Sequence, residues 1–240
     1  MVLSAAPLRI HWLRHGRVAS HRGDMPLTDE GWREAEAAGV RLSRLLVPGE
    51  IVSILYAPTR RTRETAQALQ RAITASAVGN PPHFSLLEPE MHMALRNPDL
   101  YVAGQRVEMV SSAEALAEQL STVSLTGEQL GQLPFWPTFW SHTDRIGYWV
   151  GLDNPPGEDA RAVARRMLTF AVSLLDLPAR QPRRYICVTH SPNMRAFLSH
   201  YLLGYDPGEP NYAETVDLDF SGTNSLTITY RAHQTVYPIP

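Results

Sequence analysis

Short apolar runs alternate with longer stretches whose apolar residues recur every three or four positions. Ile10-His11-Trp12-Leu13 is a short run of the first kind, and its bulky residues predict a buried strand. Ala35, Ala38, Leu42, Leu45 and Leu46 share one helical face, which predicts a helix from about Glu30 to Leu46, capped by Thr28 or Asp29 and closed by Pro48-Gly49. Ile51 to Tyr56 reads as a second strand, and a helix follows from about Ala57 to Thr74. Phe84 to Leu87 reads as a third, short strand ending in Glu88-Pro89-Glu90.

From Met91 to Gly157 this regularity loosens. A helix over Ala113 to Leu120 and a proline-broken aromatic stretch, Leu133 to Trp140, are its legible pieces, with Trp136 and Trp140 read as packing residues. We read the segment as a lid inserted into one domain covering residues 1–240, not as a second domain. Regular patterning resumes with a helix from Asp159 to Leu175, a strand from Tyr185 to Thr189 and a helix from Asn193 to Leu203. Strands at Val216 to Phe220 and Ser225 to Tyr230 close the reading. Strands alternating with helices predict an α/β fold, a largely parallel sheet with helices on both faces.

Composition narrows the chemistry. The 240 residues carry a formal charge of -2, so nothing global points to nucleic acid or an anionic membrane as partner. The chain contains no run of 18 apolar residues and no basic segment leading into an apolar one near Met1, which makes the cytoplasm the expected address. Cys187 is the sole cysteine, so an internal disulfide and multi-cysteine metal sites are excluded. All 22 basic residues are arginine. Lysine Schiff-base chemistry and a Walker A loop are therefore excluded, and a bound anion must rely on arginine forks, histidine or backbone N–H groups.

Two predicted strands end in histidine, at Leu13-Arg14-His15-Gly16 and at Val188-Thr189-His190-Ser191. Open α/β sheets bind ligands at the carboxyl ends of their strands. A neutral imidazole there can attack phosphorus, and Arg14 can fork onto phosphoryl oxygens. His190 precedes a helix whose first turn carries Pro192, so the N–H groups of Ser191 and Asn193 and the helix dipole add to the pull on an anion.

With these residues in view, the sequence resembles the histidine phosphatase superfamily, the phosphoglycerate mutase-like proteins. Arg14-His15-Gly16 is similar to its Arg-His-Gly triplet, and Pro26-Leu27-Thr28-Asp29-Glu30-Gly31 to its Pro-Leu-Thr-x-x-Gly segment. Ala57 to Ala66 resembles its arginine block, Leu86-Leu87-Glu88 its Leu-x-Glu segment, and Pro155-Pro156-Gly157-Glu158 its late turn. The resemblance implies His15 as nucleophile, Glu88 as proton donor and His190 as second histidine. It implies a phosphate held by Arg14, Arg61, His190 and Ser191, with no cofactor and no metal. Arg60 is the alternative to Arg61 and Glu90 to Glu88, and His21, otherwise a background histidine, lies in the loop after the nucleophile, from which it could approach the phosphate. Arg17 after the triplet, and Pro89-Glu90-Met91-His92 in place of a mutase-type acidic-aromatic segment, lean towards hydrolysis. The expected activity is that of a histidine acid phosphatase-type phosphomonoester hydrolase acting on a phosphorylated small molecule. A phosphoglycerate mutase and a non-catalytic phospho-ligand module of the same fold are the alternatives.

Overall fold

The computed structural model describes residues 6–20, 23–77, 84–178, 180–222 and 225–239. Its centre is β1 (Leu8–Arg14), in which alternate side chains serve opposite faces of the sheet. Leu8, Ile10 and Trp12 enter one apolar cluster, while Leu13 enters the other. On the Leu13 face lie α1 (Asp29–Ser43) and α2 (Arg60–Ser76), with the sheet strand β2 (Ile51–Tyr56) between them in the chain. Thr28 caps α1 by accepting from Gly31 N, and Ala38 and Leu42 pack with Leu69 and Ile73 of α2. The helix ends at Ser43, three residues before the expected Leu46, and Leu45 is half exposed.

The expected third strand is interrupted. It comes as β3 (Ser85–Leu86) and β4 (Glu90–Met91), both parallel to β2 and on the same edge of it. The chain leaves the sheet at Leu87 to Pro89 and rejoins it, so the carboxyl end of this edge is at Met91.

Next comes a hairpin of β5 (Leu100–Val102) and β6 (Gln105–Val107), then four short helices. These are α3 (Ala113–Ala117), α4 (Gly127–Leu130), α5 (Phe135–Ser141) and α6 (Arg145–Val150). Trp136, Phe139 and Trp149 bury into the same cluster as Trp12, and Trp140 donates Nε1–H to Val110 O. The tryptophans expected to pack do so.

The far face of the sheet is covered by α7 (Ala160–Ser173) and, after β7 (Arg183–Thr189), by α8 (Ser191–Leu198). The expected helix over Asn193 to Leu203 starts earlier, at Ser191, and relaxes into a π turn from Ser199 to Leu203. That turn stops at Gly204, whose φ of 74° suits glycine. The last three strands, β8 (Thr215–Gly222), β9 (Ser225–Tyr230) and β10 (His233–Pro238), form an antiparallel run. The sequence reading omitted β10, an edge strand with mostly exposed side chains and so no inward apolar alternation to read.

The sheet order is β10-β9-β8-β1-β7-β2-β3, with β4 also on β2. Strands β1, β7, β2, β3 and β4 run parallel, which gives the largely parallel α/β architecture expected. Central to function, β1 and β7 are parallel neighbours in register Arg14↔Thr189. Both histidine-bearing ends therefore emerge side by side.

Candidate active site

His15 follows the last residue of β1, and its N–H donates to Thr189 O on β7 at 3.1 Å. The ring is 2% exposed. Its Nδ1 lies 2.8 Å from Gly16 O. A carbonyl only accepts, so Nδ1 carries a proton. The turn that makes this contact depends on close backbone packing. A Cβ on Gly16 would stand 2.4 Å from Gly31 O, and one on Gly31 would stand 2.2 Å from Arg17 O. These two glycines are the ones in the Arg-His-Gly triplet and the Pro-Leu-Thr-x-x-Gly segment. Gly16 N is further held by Thr65 Oγ1 at 3.0 Å, which ties the turn to α2.

His190 is the N-cap residue of α8, and its ring centroid lies 5.4 Å from that of His15. The strand end beneath it is fixed from the other side. Asn193 Nδ2 donates to Thr189 Oγ1 and to the carbonyls of Leu95 and Arg96, and Thr189 Oγ1 donates to Leu95 O.

Arg14, His15, Arg61, His190 and Ser191 line one cavity of about 890 Å³. Arg14 and Arg61 are both buried, and the Nε of each has no hydrogen-bond partner among the described residues. Burial lowers the pKa of Arg61, offset in part by the charges of Glu108 and Asp24. A buried guanidinium in that condition gains from an incoming anion. Arg60, by contrast, pairs with Glu64 at 2.7 Å and does not line the cavity.

Around Arg14, three groups set its orientation. Its Nη2 lies 2.7 Å from Glu209 Oε1, its Nη1 donates to Pro210 O, and its Cζ lies 4.0 Å from the centre of the Tyr212 ring. Ser191 Oγ donates to Glu209 Oε2 at 2.6 Å. Behind them Arg195, fully buried, binds Asp144, Asp206 and Glu209. Burial works against the Arg195 charge, but the hydrogen bonds to Asp206 and Asp144 raise its pKa overall. The same hydrogen bond holds the Asp144 carboxyl down at about 2.

The expected acid is not here. Glu88 is exposed, accepts from Gln70 Nε2 at 3.0 Å and does not line the cavity. Glu90 is also exposed, in the strand edge opposite Leu55. The physical reason is the interrupted strand. Glu88 lies midway along the β2 edge, whereas the histidines emerge at the carboxyl ends of the strands.

Beyond Met91, a 3₁₀ turn over Met93 to Leu95 leads to Asn97, which is buried and lines the cavity. Asn97 Nδ2 donates to Glu108 Oε2 at 2.6 Å, and Glu108 lines the cavity too. Arg106 Nη2 donates to the other Glu108 oxygen at 3.1 Å, and Glu108 N donates to Gln119 Oε1. Sequence reasoning missed Asn97, Glu108, Glu209 and Tyr212. A signal existed for the first: Leu95-Arg96-Asn97 repeats the Leu-x-polar pattern nearer the true strand end, with an amide in third place.

The late turn around Gly157 joins the inserted segment to α7. Glu158 N donates to Asp99 O, Asp99 N donates to Glu158 Oε2, and Arg166 Nε donates to Glu158 Oε1 at 3.0 Å. His21 lies outside the described residues. Among the described residues, no group of three or more histidine, cysteine or acidic side chains is placed to hold a metal ion. No helix among them is long and apolar enough to cross a membrane.

Comparison with known proteins agrees with this geometry. Residues 9–81 match the family model of the histidine phosphatase superfamily, branch 1. This stretch contains the Arg14-His15-Gly16 triplet and Arg61. No curated protein matches the chain. Among solved structures, a mycobacterial glucosyl-3-phosphoglycerate phosphatase in complex with VO3 is similar at 21% identity and a TM-score of 0.52, over 88% of this chain and 90% of that one. A phosphoglycerate mutase from Bacillus anthracis is 14% identical with a TM-score of 0.53, over 98% and 94%. A phosphoserine phosphatase from Entamoeba histolytica is 12% identical with a TM-score of 0.52, over 95% and 94%. These likenesses establish a phosphoglycerate mutase-like fold.

Proposed function

With residues 9–81 matching the histidine phosphatase superfamily, we propose that this chain hydrolyses phosphomonoesters through a phosphohistidine on His15. One observation carries the reading. The His15 Nδ1–H is engaged by Gly16 O, which fixes the ring in a cavity that also holds two buried arginines and His190.

In the first step Nε2 attacks phosphorus in line, a P–N bond forms and the bond to the ester oxygen breaks. Arg14, Arg61 and His190 hold the equatorial oxygens, together with the N-terminal N–H groups of α8 beside Ser191. Donors preorganised in this way are worth roughly 3–4 kcal/mol each in such sites. Glu108 takes the role expected of Glu88: it gives its proton to the departing alkoxide. In the second step a water attacks phosphorus, Glu108 takes the proton back, the P–N bond breaks and phosphate leaves. Asn97 and Arg106 orient the Glu108 carboxylate for that second proton transfer. Residues 91–157 act in this reading as a lid on a single domain, and the substrate is a phosphorylated small molecule.

The test is covalent trapping. Incubation with a radiolabelled phosphomonoester followed by a rapid quench should give an acid-labile, base-stable phosphoenzyme, absent in His15→Ala. Phosphate release should persist in the presence of a chelator. Efficient isomerisation of 3-phosphoglycerate with little phosphate release would favour the mutase reading. Phosphate release without a phosphoenzyme, abolished by chelation, would overturn the mechanism.

A further inference from the structure

The cavity of about 890 Å³ is far larger than a phosphoryl group needs, and the wall supplied by the inserted segment has a distinct character. That wall comes from the segment after β6 and from α5 and α6. It presents Met109, Val110, Phe139 and Ile146, and Phe139 and Val110 are rooted in the apolar core. Pockets of this size and lining bury most of an organic ligand of similar volume.

The charge around it is unusual for a phosphate site. Five carboxylates and three guanidinium groups line the cavity, and three of the carboxylates are already paired: Asp144 with Arg195, Glu209 with Arg14 and Arg195, and Glu108 with Arg106. Two of those three guanidinium groups, Arg14 and Arg61, belong to the phosphoryl end. The third, Arg145, is held by its Nε–H to Trp140 O at 3.2 Å and shares the wall with Glu108 and Glu118. A second anionic group on the substrate would therefore meet a partly apolar surface where one guanidinium, Arg145, stands beside two carboxylates, and would lose solvation for little return.

Building on the phosphatase reading, we propose that the substrate is a monoester whose alcohol has an apolar body and no second anion. This differs from phosphoserine and 3-phosphoglycerate, each of which carries a carboxylate near the phosphate. Phosphomonoesters of aliphatic or aromatic alcohols fit both the wall and the charge.

The proposal is tested with two series. Hydrolysis of ethyl, butyl, hexyl and octyl phosphate should show kcat/KM rising with length, by up to about fourfold per methylene, the yield of burying one CH2 group. Phosphoserine and 3-phosphoglycerate should fall at least tenfold below hexyl phosphate. Binding of the matching alkylphosphonates, which cannot be hydrolysed, reads the same preference by calorimetry without any turnover. A rise in affinity with length supports the proposal even if the phosphatase reading fails. Flat affinity across the series, or tighter binding of 3-phosphoglycerate than of hexylphosphonate, overturns it even if hydrolysis is observed. Glu118→Arg, at an exposed position, should raise kcat/KM for 3-phosphoglycerate severalfold relative to that for ethyl phosphate in the same variant. Met109→Asp should flatten the chain-length dependence of alkylphosphonate affinity.

Discussion

Glu209 lies across the anion site from Arg14, with its Oε1 2.7 Å from Nη2 and its Oε2 accepting from Ser191 Oγ at 2.6 Å. The carboxylate thus engages two groups assigned here to the phosphoryl oxygens. A charge-assisted contact of this kind is worth about 1.5–3 kcal/mol when buried, and less here because Glu209 is about half exposed, at 47%. Substrate and product phosphate must compete with it. Glu209→Gln should therefore lower the inhibition constant of inorganic phosphate by roughly three- to tenfold, about 1 kcal/mol after that discount. A raised inhibition constant would show instead that Glu209 mainly keeps Arg14 in place.

Glu108 and Glu88 make opposite predictions for leaving-group dependence. Glu108→Gln should slow phosphoenzyme formation from an alkyl phosphate by roughly 10²–10⁴-fold, the usual yield of general acid catalysis. Nitrophenyl phosphate, whose leaving group needs little protonation, should be affected far less. Glu88→Gln should leave both rates within about twofold, because Glu88 is exposed, bonds to Gln70 and does not line the cavity. Single-turnover quench measurements on the two variants decide between them, and an effect confined to Glu88→Gln would remove Glu108 from the mechanism.

The Asp144–Arg195 pair predicts a pH-dependent contribution to stability. The Asp144 carboxyl is held at about 2, below its ordinary 3.8, first by the Arg195 hydrogen bond. A depressed carboxyl stabilises the fold above its unfolded pKa and loses that effect as pH falls through its folded one. Asp144→Asn should therefore lower Tm at pH 7 and converge with the unmodified protein between about pH 4 and pH 2. The Asp144 side chain is 52% exposed, so the difference at pH 7 should be about 1 kcal/mol, or roughly 2–4 °C. A Tm difference that does not change with pH would mean the pair acts by packing alone.

Gly16→Ala tests the turn itself. The added Cβ would stand 2.4 Å from Gly31 O, a backbone atom that cannot swing aside. Overpacking of this kind costs about 1–3 kcal/mol, and relief by moving the turn would displace His15 from Gly16 O. The variant should lose stability and nearly all phosphoenzyme formation together. Full activity at reduced stability would separate the turn from the orientation of the imidazole.

Which residues were legible in the sequence follows from how each is positioned. Arg14, His15, His190 and Ser191 are placed by local rules, a strand end and a helix start, so short motifs located them. Arg61 is set by the first turn of α2 in the same way. Glu88 stands away from the cavity because the strand continues past Pro89 into Glu90 and Met91, which moves the strand end beyond it. Glu108 was invisible for a different reason. It reaches the cavity through a hairpin whose place depends on distant partners, with Asn97 and Gln119 each eleven residues away. Likewise, β10 lacks an apolar face, so no periodicity marked it.

The knot at Asp99, Gly157 and Glu158 has a consequence for how such a protein can diversify. Leu100 bridges Gly157, Tyr101 N donates to Pro156 O, and Arg166 of α7 secures the neighbouring carbonyls of Ala94 and Arg96. Everything from Tyr101 to Pro156 therefore enters and leaves through one neck, with the perch of Asn97 fastened on the near side of it. Doubling the length of a loop closed at its base costs only about 0.6 kcal/mol of closure entropy. The connections between α3, α4 and α5 can therefore lengthen or shorten at little cost, while Glu108, Asp144 and the core residues Trp136, Phe139 and Trp149 keep their partners outside the stretch or in the core.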